Sequence, residues 1–399
     1  MVVTDSLPLG VSQMLAQTQE IAGNLLSIVI ITRNEAQNIG RCIESALAAA
    51  AWFPGTEIML VDSASTDETI DIAHKYPISI IQLQPHWPLT PSAGRYLGTL
   101  ATAGQYLLFL DGDTEVFPGW VLQSLTFLRQ HPEVAGVGGT GDEVYADECG
   151  QSTGEVLHRY QVSKATAVNS LGGNGLYRRA ALEKVGTFNP YLALYEEAEL
   201  ALRLRHAGYT LWRLPLPMAK HFSPPRGTFR EAIRRFRSGY YPSSGRTLRV
   251  TFKNGLAGQF IREFLLNYAI TGGYLLLGLA SLVAALAGQR GWLTAWLAIS
   301  VAVFAAYSVR KCSPGKAFNA LVARLMVMYG LILGFVTAGK DAGQYPTDVI
   351  VVQRQPEGQP NYWHPATLEV RQAAIRERLC SRRMTDETGT DPFFRRTQT

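Results

Sequence analysis

The chain has 399 residues, 47% of them hydrophobic and only 17% charged, against about 25% charged in ordinary soluble domains, so some stretch must be nearly free of charge. The 37 Lys and Arg and 32 Asp and Glu still need water, which excludes a bundle built only of membrane helices, and the hydrophobic share excludes a largely disordered chain. A net charge of +5 raises nucleic acid as a partner, but the basic residues gather beside apolar stretches and form no aromatic-interleaved reader, so no nucleic acid is expected.

Residues 1–24 form an N-terminal extension with Asp5 and Glu20 and no basic residue before Arg33, so no cleavable secretory signal is expected and the chain starts in the cytoplasm. Cys42, Cys149, Cys312 and Cys380 are far apart with no Cys-x-x-Cys pair, which argues against a disulfide framework or zinc ribbon and suits a reducing face. From 25 to 225 apolar runs alternate with helical stretches, predicting one α/β domain with a parallel-crossover sheet. Strands are expected at 27–31, 57–61, 78–83 and 106–110, and helices at 36–51 and 66–75.

Ligands of such sheets bind beyond the carboxyl ends of the strands, so the polar residues following each strand are the candidates. These are Thr32, Asn34 and Glu35, then Asp62 with Ser65 to Asp67, then Asp111-Gly112-Asp113. Two carboxylates two residues apart can approach one hard divalent cation, Mg²⁺ or Mn²⁺, and Gly112 lets the backbone turn between them. The glycine-rich 171–179 segment, with Gly173 and Asn174, can bring N–H groups to phosphate or sugar oxygens, or serve as an ordinary turn. The 136–141 run GVGGTG resembles a dinucleotide loop but follows the wrong kind of unit. Glu196 and Glu197 open a helix over 194–205, favoured there by its dipole, and a carboxylate at that place can accept a proton from an attacking hydroxyl. His221, expected just after the last strand, can return to the metal edge, while His86 and Trp87 suit packing.

Residues 226–262 are a basic juxtamembrane segment. Phe229, Ala232, Ile233, Phe236 and Tyr240 recur at helical spacing opposite Arg230, Arg234, Arg235 and Arg237, as in an interfacial helix. The membrane region, 263–340, holds uncharged runs at 265–287 and 292–309, each long enough for a crossing of about 30 Å, with Trp292 and Trp296 expected near the interface. A third run, 321–338, contains Arg324 and spans, re-enters or lies flat, giving two or three crossings. Arg246, Arg249, Lys253 and Arg262 precede the first run, and Arg310, Lys311 and Lys316 follow the second. The link between holds only Arg290, so the basic flanks are cytoplasmic. The expectation is a multi-pass protein of the inner (cytoplasmic) membrane with its catalytic domain facing the cytoplasm. A third crossing would leave the 341–399 tail outside, against Arg371, Arg376, Arg378, Arg382 and Arg383; a helix is expected there near 367–379.

In order, SIVIITRNEAQNI, IMLVDSASTDETIDIA, PSAGRYLGTLATAGQYLLFLDGDTEV, GGNGLYRRAALEKVGTFNP and YEEAELALRLRHAGY resemble a family 2 glycosyltransferase of the GT-A fold, over residues 25–223. The resemblance implies that Thr32, Asn34 and Glu35 line the nucleotide pocket, that Asp62 faces the base and that Arg95 lies near the nucleotide. It implies that Asp111 and Asp113 are a D-x-D motif, with Asp113 on the metal and Asp111 on the ribose or metal shell. Glu197 takes the catalytic-base position, usually the aspartate of an E-D pair. The implied reaction is inverting transfer from a nucleotide-diphosphate sugar, with Mg²⁺ or Mn²⁺ as cofactor. Processive synthases carry a Q-x-x-R-W motif; residues 234–238 have neither glutamine nor tryptophan, which points to addition of one sugar to a lipid-linked or glycan acceptor at the membrane. Two alternatives stand beside this: transfer onto polyprenyl phosphate itself, using arginines near Gly173 and Arg178, or a catalytically silent scaffold that binds nucleotide sugar.

Overall fold

The computed structural model describes residues 25–146, 152–223, 229–337, 339–355 and 368–377. The 1–24 extension, Cys149, Cys380, Arg378, Arg382 and Arg383 lie outside the described residues. Contacts divide the chain into two units, 1–191 with 203–224 and 340–399, and 192–202 with 225–339.

The first unit is built on strands β1 (Leu26–Thr32), β2 (Glu57–Asp62), β3 (Ser79–Gln82), β4 (Tyr106–Asp111), β5 (Thr114–Val116), β6 (Val134–Ala146), β7 (Ser152–Arg159), β8 (Thr166–Ala167), β9 (Gly175–Arg178), β10 (Thr210–Ser223) and β11 (Ile350–Gln353). β1, β2 and β4 are apolar along nearly their whole length and buried on both faces, as parallel strands covered by helices require. β3, β2, β1 and β4 are parallel neighbours. Beyond β4 the sheet is mixed, contrary to the parallel-crossover expectation: the order is β11-β3-β2-β1-β4-β9-β6-β10-β5, with β9 antiparallel to both β4 and β6. The first two helices are shorter than the sequence suggests, Ile39–Ala50 and Thr69–Ala73. Ahead of the second, side chains take the backbone donors: Asp62 Oδ2 accepts the Ser65 N–H (2.8 Å), Asn34 Oδ1 that of Thr66 (2.8 Å) and Asp67 Oδ1 that of Thr69 (3.1 Å). The GVGGTG run lies inside β6, where a Cβ on Gly139 would stand 2.6 Å from the Leu216 carbonyl oxygen.

Helix Pro91–Ala101 is pulled onto the sheet by small residues: a Cβ on Gly94 would stand 2.8 Å from Ile31 Cγ2, and one on Gly98 would overlap Val29. Gly98→Ala is therefore expected to destabilise the first unit by about 1–3 kcal/mol through overpacking, seen as a lowered unfolding temperature in scanning calorimetry.

Residues 341–355, part of the 341–399 segment set apart as a tail by sequence, contribute to this unit. β11 pairs antiparallel with β3, and Gln353 Nε2 donates to the carbonyls of Tyr76 (2.6 Å) and Ile78 (3.0 Å). Tyr345 is 1% exposed, packs edge-on against Trp87, Tyr96 and Tyr191, and donates its hydroxyl to the Pro88 carbonyl (2.8 Å). The short β11, flanked by polar residues, carries little periodic signal, which is why sequence leaves the segment unassigned.

The second unit holds helices Phe229–Arg237, Pro242–Lys253 and Ala257–Phe260, the last continuing through a π-turn into Leu266–Leu286, then Arg290–Arg310 and Pro314–Val336. Three helices are long and apolar enough to cross a membrane, the first counted as Ala257–Leu286. Leu276, Leu286, Val301 and Val309 are all more than 60% exposed, an arrangement that lipid covers and water does not. Trp296 stacks on Tyr274 (centroids 5.3 Å apart) and fills the space above Gly278, so it fastens the first two apolar helices to each other. In helix Phe229–Arg237, Ala232 is buried while Phe229 and Phe236 remain exposed beside the arginines.

Candidate active site

The carboxyl ends of β1, β2 and β4 converge on one edge of the sheet. Asp111 closes β4, and its Oδ1 is held 2.7 Å from Arg95 Nη2, a side chain only 2% exposed on helix Pro91–Ala101. Asn174 Oδ1 accepts the Asp111 N–H (2.8 Å) and its Nδ2 donates to Thr114 Oγ1 (3.2 Å), so Asn174 clamps both sides of the acidic turn. Gly112 donates its N–H to the Ile31 carbonyl (2.8 Å), and a Cβ there would stand 2.7 Å from Thr32 Oγ1; close approach makes the glycine necessary.

Asp113 is fixed from the other side. β10 pairs antiparallel with β5, placing His221 opposite Thr114, and the Phe222 N–H donates to the Asp113 carbonyl (2.8 Å). His221 Nε2 then lies 3.0 Å from Asp113 Oδ1. His221 thus sits within β10, not after the last strand. One ligating atom each from Asp111, Asp113 and His221 fall within 4.8 Å of one another. Carboxylate oxygens with an imidazole nitrogen suit a divalent cation.

Glu35 lies within electrostatic reach of this group. Burial first, and then the negative charge of Asp113, push its carboxyl up to about 7; the Asn38 amide, 2.9 Å from its Oε2, and His221 pull the other way. Glu35 is thus coupled to the acidic group, an excess of negative charge that a bound cation would offset.

The remaining candidates brace the same edge. Asn34 adopts a left-handed φ of 55°, and its backbone N–H donates to Ser65 Oγ (2.8 Å), tying the loop after β1 to the loop after β2. Asp62 is fully buried and also accepts from Gln82 Nε2 (2.9 Å), a partner at the end of β3 that sequence does not suggest. Thr32 is buried, and its hydroxyl has no hydrogen-bond partner among the described residues. Gly173 is half-buried next to Asn174, in the loop that Gly172 turns with a φ of 88°. Glu197 opens helix Glu196–His206 with its side chain partly exposed, while Glu196 and Glu199 are buried. The Asp–Asp–His group belongs to the first unit and Glu197 to the second.

Arg178 does not reach this edge. Because β9 runs antiparallel to β4, from Gly175 beside Phe109 to Arg178 beside Tyr106, it carries Arg178 to the opposite end of the sheet. There Arg178 donates to the carbonyls of Leu128, Val134 (3.3 Å) and His131 (3.2 Å), and Arg179 to those of Thr99 (2.8 Å) and Gly104 (2.5 Å). Both are structural, so the expectation that they hold a lipid phosphate is withdrawn.

Arg95→Met would leave Asp111 beside Asp113 without its counter-charge. A loss of about 2–3 kcal/mol is expected for a pair with one buried and one partly exposed partner. Thermal unfolding checks this, and adding Asp111→Asn should recover part of the loss.

Residues 27–186 match the family model for glycosyl transferase family 2. Glycosyltransferase AglE of Haloferax volcanii is 26% identical over 194 residues, 47% of this chain and 63% of the relative. The uncharacterized glycosyltransferase YibD of Escherichia coli is 26% identical over 175 residues, 43% of this chain and 48% of the relative. The chain thus spans about half to three-fifths of the length of these two relatives. A dodecaprenyl-phosphate galacturonate synthase of Rhizobium johnstonii is 33% identical over 100 residues, 23% of this chain and 29% of the relative. With the β1–β4 units, the Asp111-Gly112-Asp113 turn at their carboxyl edge and this match in hand, residues 27–186 form an α/β domain similar to glycosyl transferase family 2.

Proposed function

We propose that the protein is an inverting, metal-dependent glycosyltransferase of the inner membrane, with its catalytic domain facing the cytoplasm. It moves a sugar from a nucleotide-diphosphate sugar to a lipid-linked glycan intermediate of polysaccharide or glycoconjugate assembly. The observation carrying this reading is the convergence of Asp111, Asp113 and His221 at the carboxyl edge of the family 2 domain.

Asp111, Asp113 and His221 would hold Mg²⁺ or Mn²⁺, which as a Lewis acid stabilises the charge developing on the departing diphosphate. Arg95 and Asn174 keep the Asp111 turn in place before the donor arrives, so the site needs little rearrangement on binding. Thr32, Asn34 and Asp62 shape the nucleotide end of the cleft, with the Asp62 carboxylate oriented by Ser65 and Gln82. Gly173 and Asn174 lie on the diphosphate or acceptor side. Glu197 accepts the proton of the acceptor hydroxyl, which attacks the anomeric carbon from the face opposite the nucleotide.

The test incubates membranes containing the protein with UDP-, GDP- and dTDP-sugars, Mn²⁺ and a lipid extract, and follows sugar incorporation. Transfer from one donor, abolished by EDTA and restored by Mn²⁺, is the expected result. Donor binding without consumption would overturn it in favour of the silent scaffold. The similarity to a dodecaprenyl-phosphate galacturonate synthase supports a second reading, in which polyprenyl phosphate itself is the acceptor. Mass spectrometry separates the two, since that product carries one sugar on a lipid monophosphate.

A further inference from the structure

We infer that the chain crosses the membrane twice, and that helix Pro314–Val336 lies in the leaflet where the crossing hairpin begins and ends. This rests on the membrane reading of the apolar helices.

The hairpin fixes the depth scale. Tyr274 pairs with Trp296 and bonds Ser300, so helix Arg290–Arg310 runs back along Leu266–Leu286 and returns its Arg310 end to the side from which the first helix started. Helix Pro314–Val336 follows after Lys311, Cys312 and Ser313, and so begins on that side.

Its middle and its end stay near that side. Arg324 Nη1 donates to Thr271 Oγ1 (3.2 Å), and Met328 lies against Gly272, both early in the first apolar helix. Leu331 packs with Leu256, Phe260 and Leu265, residues that precede or open that helix. Gly330 and Gly334 let the backbone of Tyr241 and Pro242 approach, and Arg249 Nη1 donates to the carbonyls of Phe335 (2.9 Å) and Thr337 (3.0 Å). Helix Pro242–Lys253 carries Arg246, Arg249 and Lys253, which place it at the headgroups, where the end of Pro314–Val336 must therefore also lie. A helix of 23 residues with both ends at one surface does not cross.

Chain connectivity reaches the same result independently. β10 enters the membrane segment from the first unit, and β11 returns to pair with β3 of that unit, so the intervening chain crosses an even number of times. On the apolar face of the third helix, Phe318, Leu321, Leu325, Tyr329, Ile332 and Val336 are exposed at spacings of three and four, a stripe suited to acyl chains.

The test uses impermeant maleimide on spheroplasts, intact and permeabilised. All variants keep the buried Cys42 and have Cys149 and Cys380 replaced by serine. One retains the exposed Cys312; the others carry Cys312→Ser with Gln289→Cys or Gly339→Cys. Expected is labelling of Gln289→Cys in intact spheroplasts, and of Cys312 and Gly339→Cys only after permeabilisation. Labelling of Gly339→Cys together with Gln289→Cys would overturn the two-crossing topology and leave the membrane reading standing. Release of the protein by alkaline carbonate would overturn both.

Discussion

Asp113→Ala is expected to lower sugar transfer by about 10²–10³-fold and to remove its stimulation by Mn²⁺, because the substitution deletes one of three converging ligands. His221 and Asp111 remain, but Asp111 already shares Oδ1 with Arg95, which leaves too few donors for a firm octahedral site. Titration calorimetry with Mn²⁺ in the presence of nucleoside diphosphate checks the binding component, and initial rates at saturating donor check the chemical one. The effect should exceed that of Asp113→Asn, which keeps a neutral oxygen ligand. Unchanged metal dependence in Asp113→Ala would remove the cation from this place.

Glu197→Gln is expected to lower transfer by about 10²–10⁴-fold while leaving donor affinity near wild type, since it keeps shape and hydrogen bonding but cannot accept the hydroxyl proton. Equilibrium binding of the nucleotide sugar, measured beside turnover, separates loss of chemistry from loss of the site. Wild-type turnover would sink the base assignment, and equal loss of binding would make Glu197 a donor-site residue. Helix Glu196–His206 starts with three acids and ends with Arg203, Arg205 and His206, so exchange of the partly exposed Glu197 should barely alter helix stability. Turnover present in the wild type and lost in this variant would also argue against the silent scaffold, which predicts no turnover to lose.

The sequence was most legible where structure is local. β1, β2 and β4 are apolar runs followed at once by polar clusters, and they lie within a residue of their expected limits. The acidic turn was legible because Asp111, Gly112 and Asp113 are adjacent in the chain. His221 stood out only as a lone imidazole, because its place depends on β10 pairing with β5 from about a hundred residues away, a register no local pattern encodes. The contacts by which the Asn174 amide holds Asp111 and Thr114 were not legible, because they join β4 and β5 to a loop about sixty residues away. The mixed half of the sheet escaped because β6 is rich in glycine and β10 contains two prolines, both of which mask strand periodicity.

The β11–β3 pair has a consequence for how the protein is made. The hydrogen bonds from Gln353 to Tyr76 and Ile78 join residues 277 and 275 positions apart, with every apolar helix encoded between them. A ribosome releases β3 long before β11 exists, so the partner that edge has in the finished sheet is missing while the apolar helices are synthesised. Under the proposed two-crossing topology, the sheet is completed only after the hairpin has brought the chain back to the side on which β3 waits.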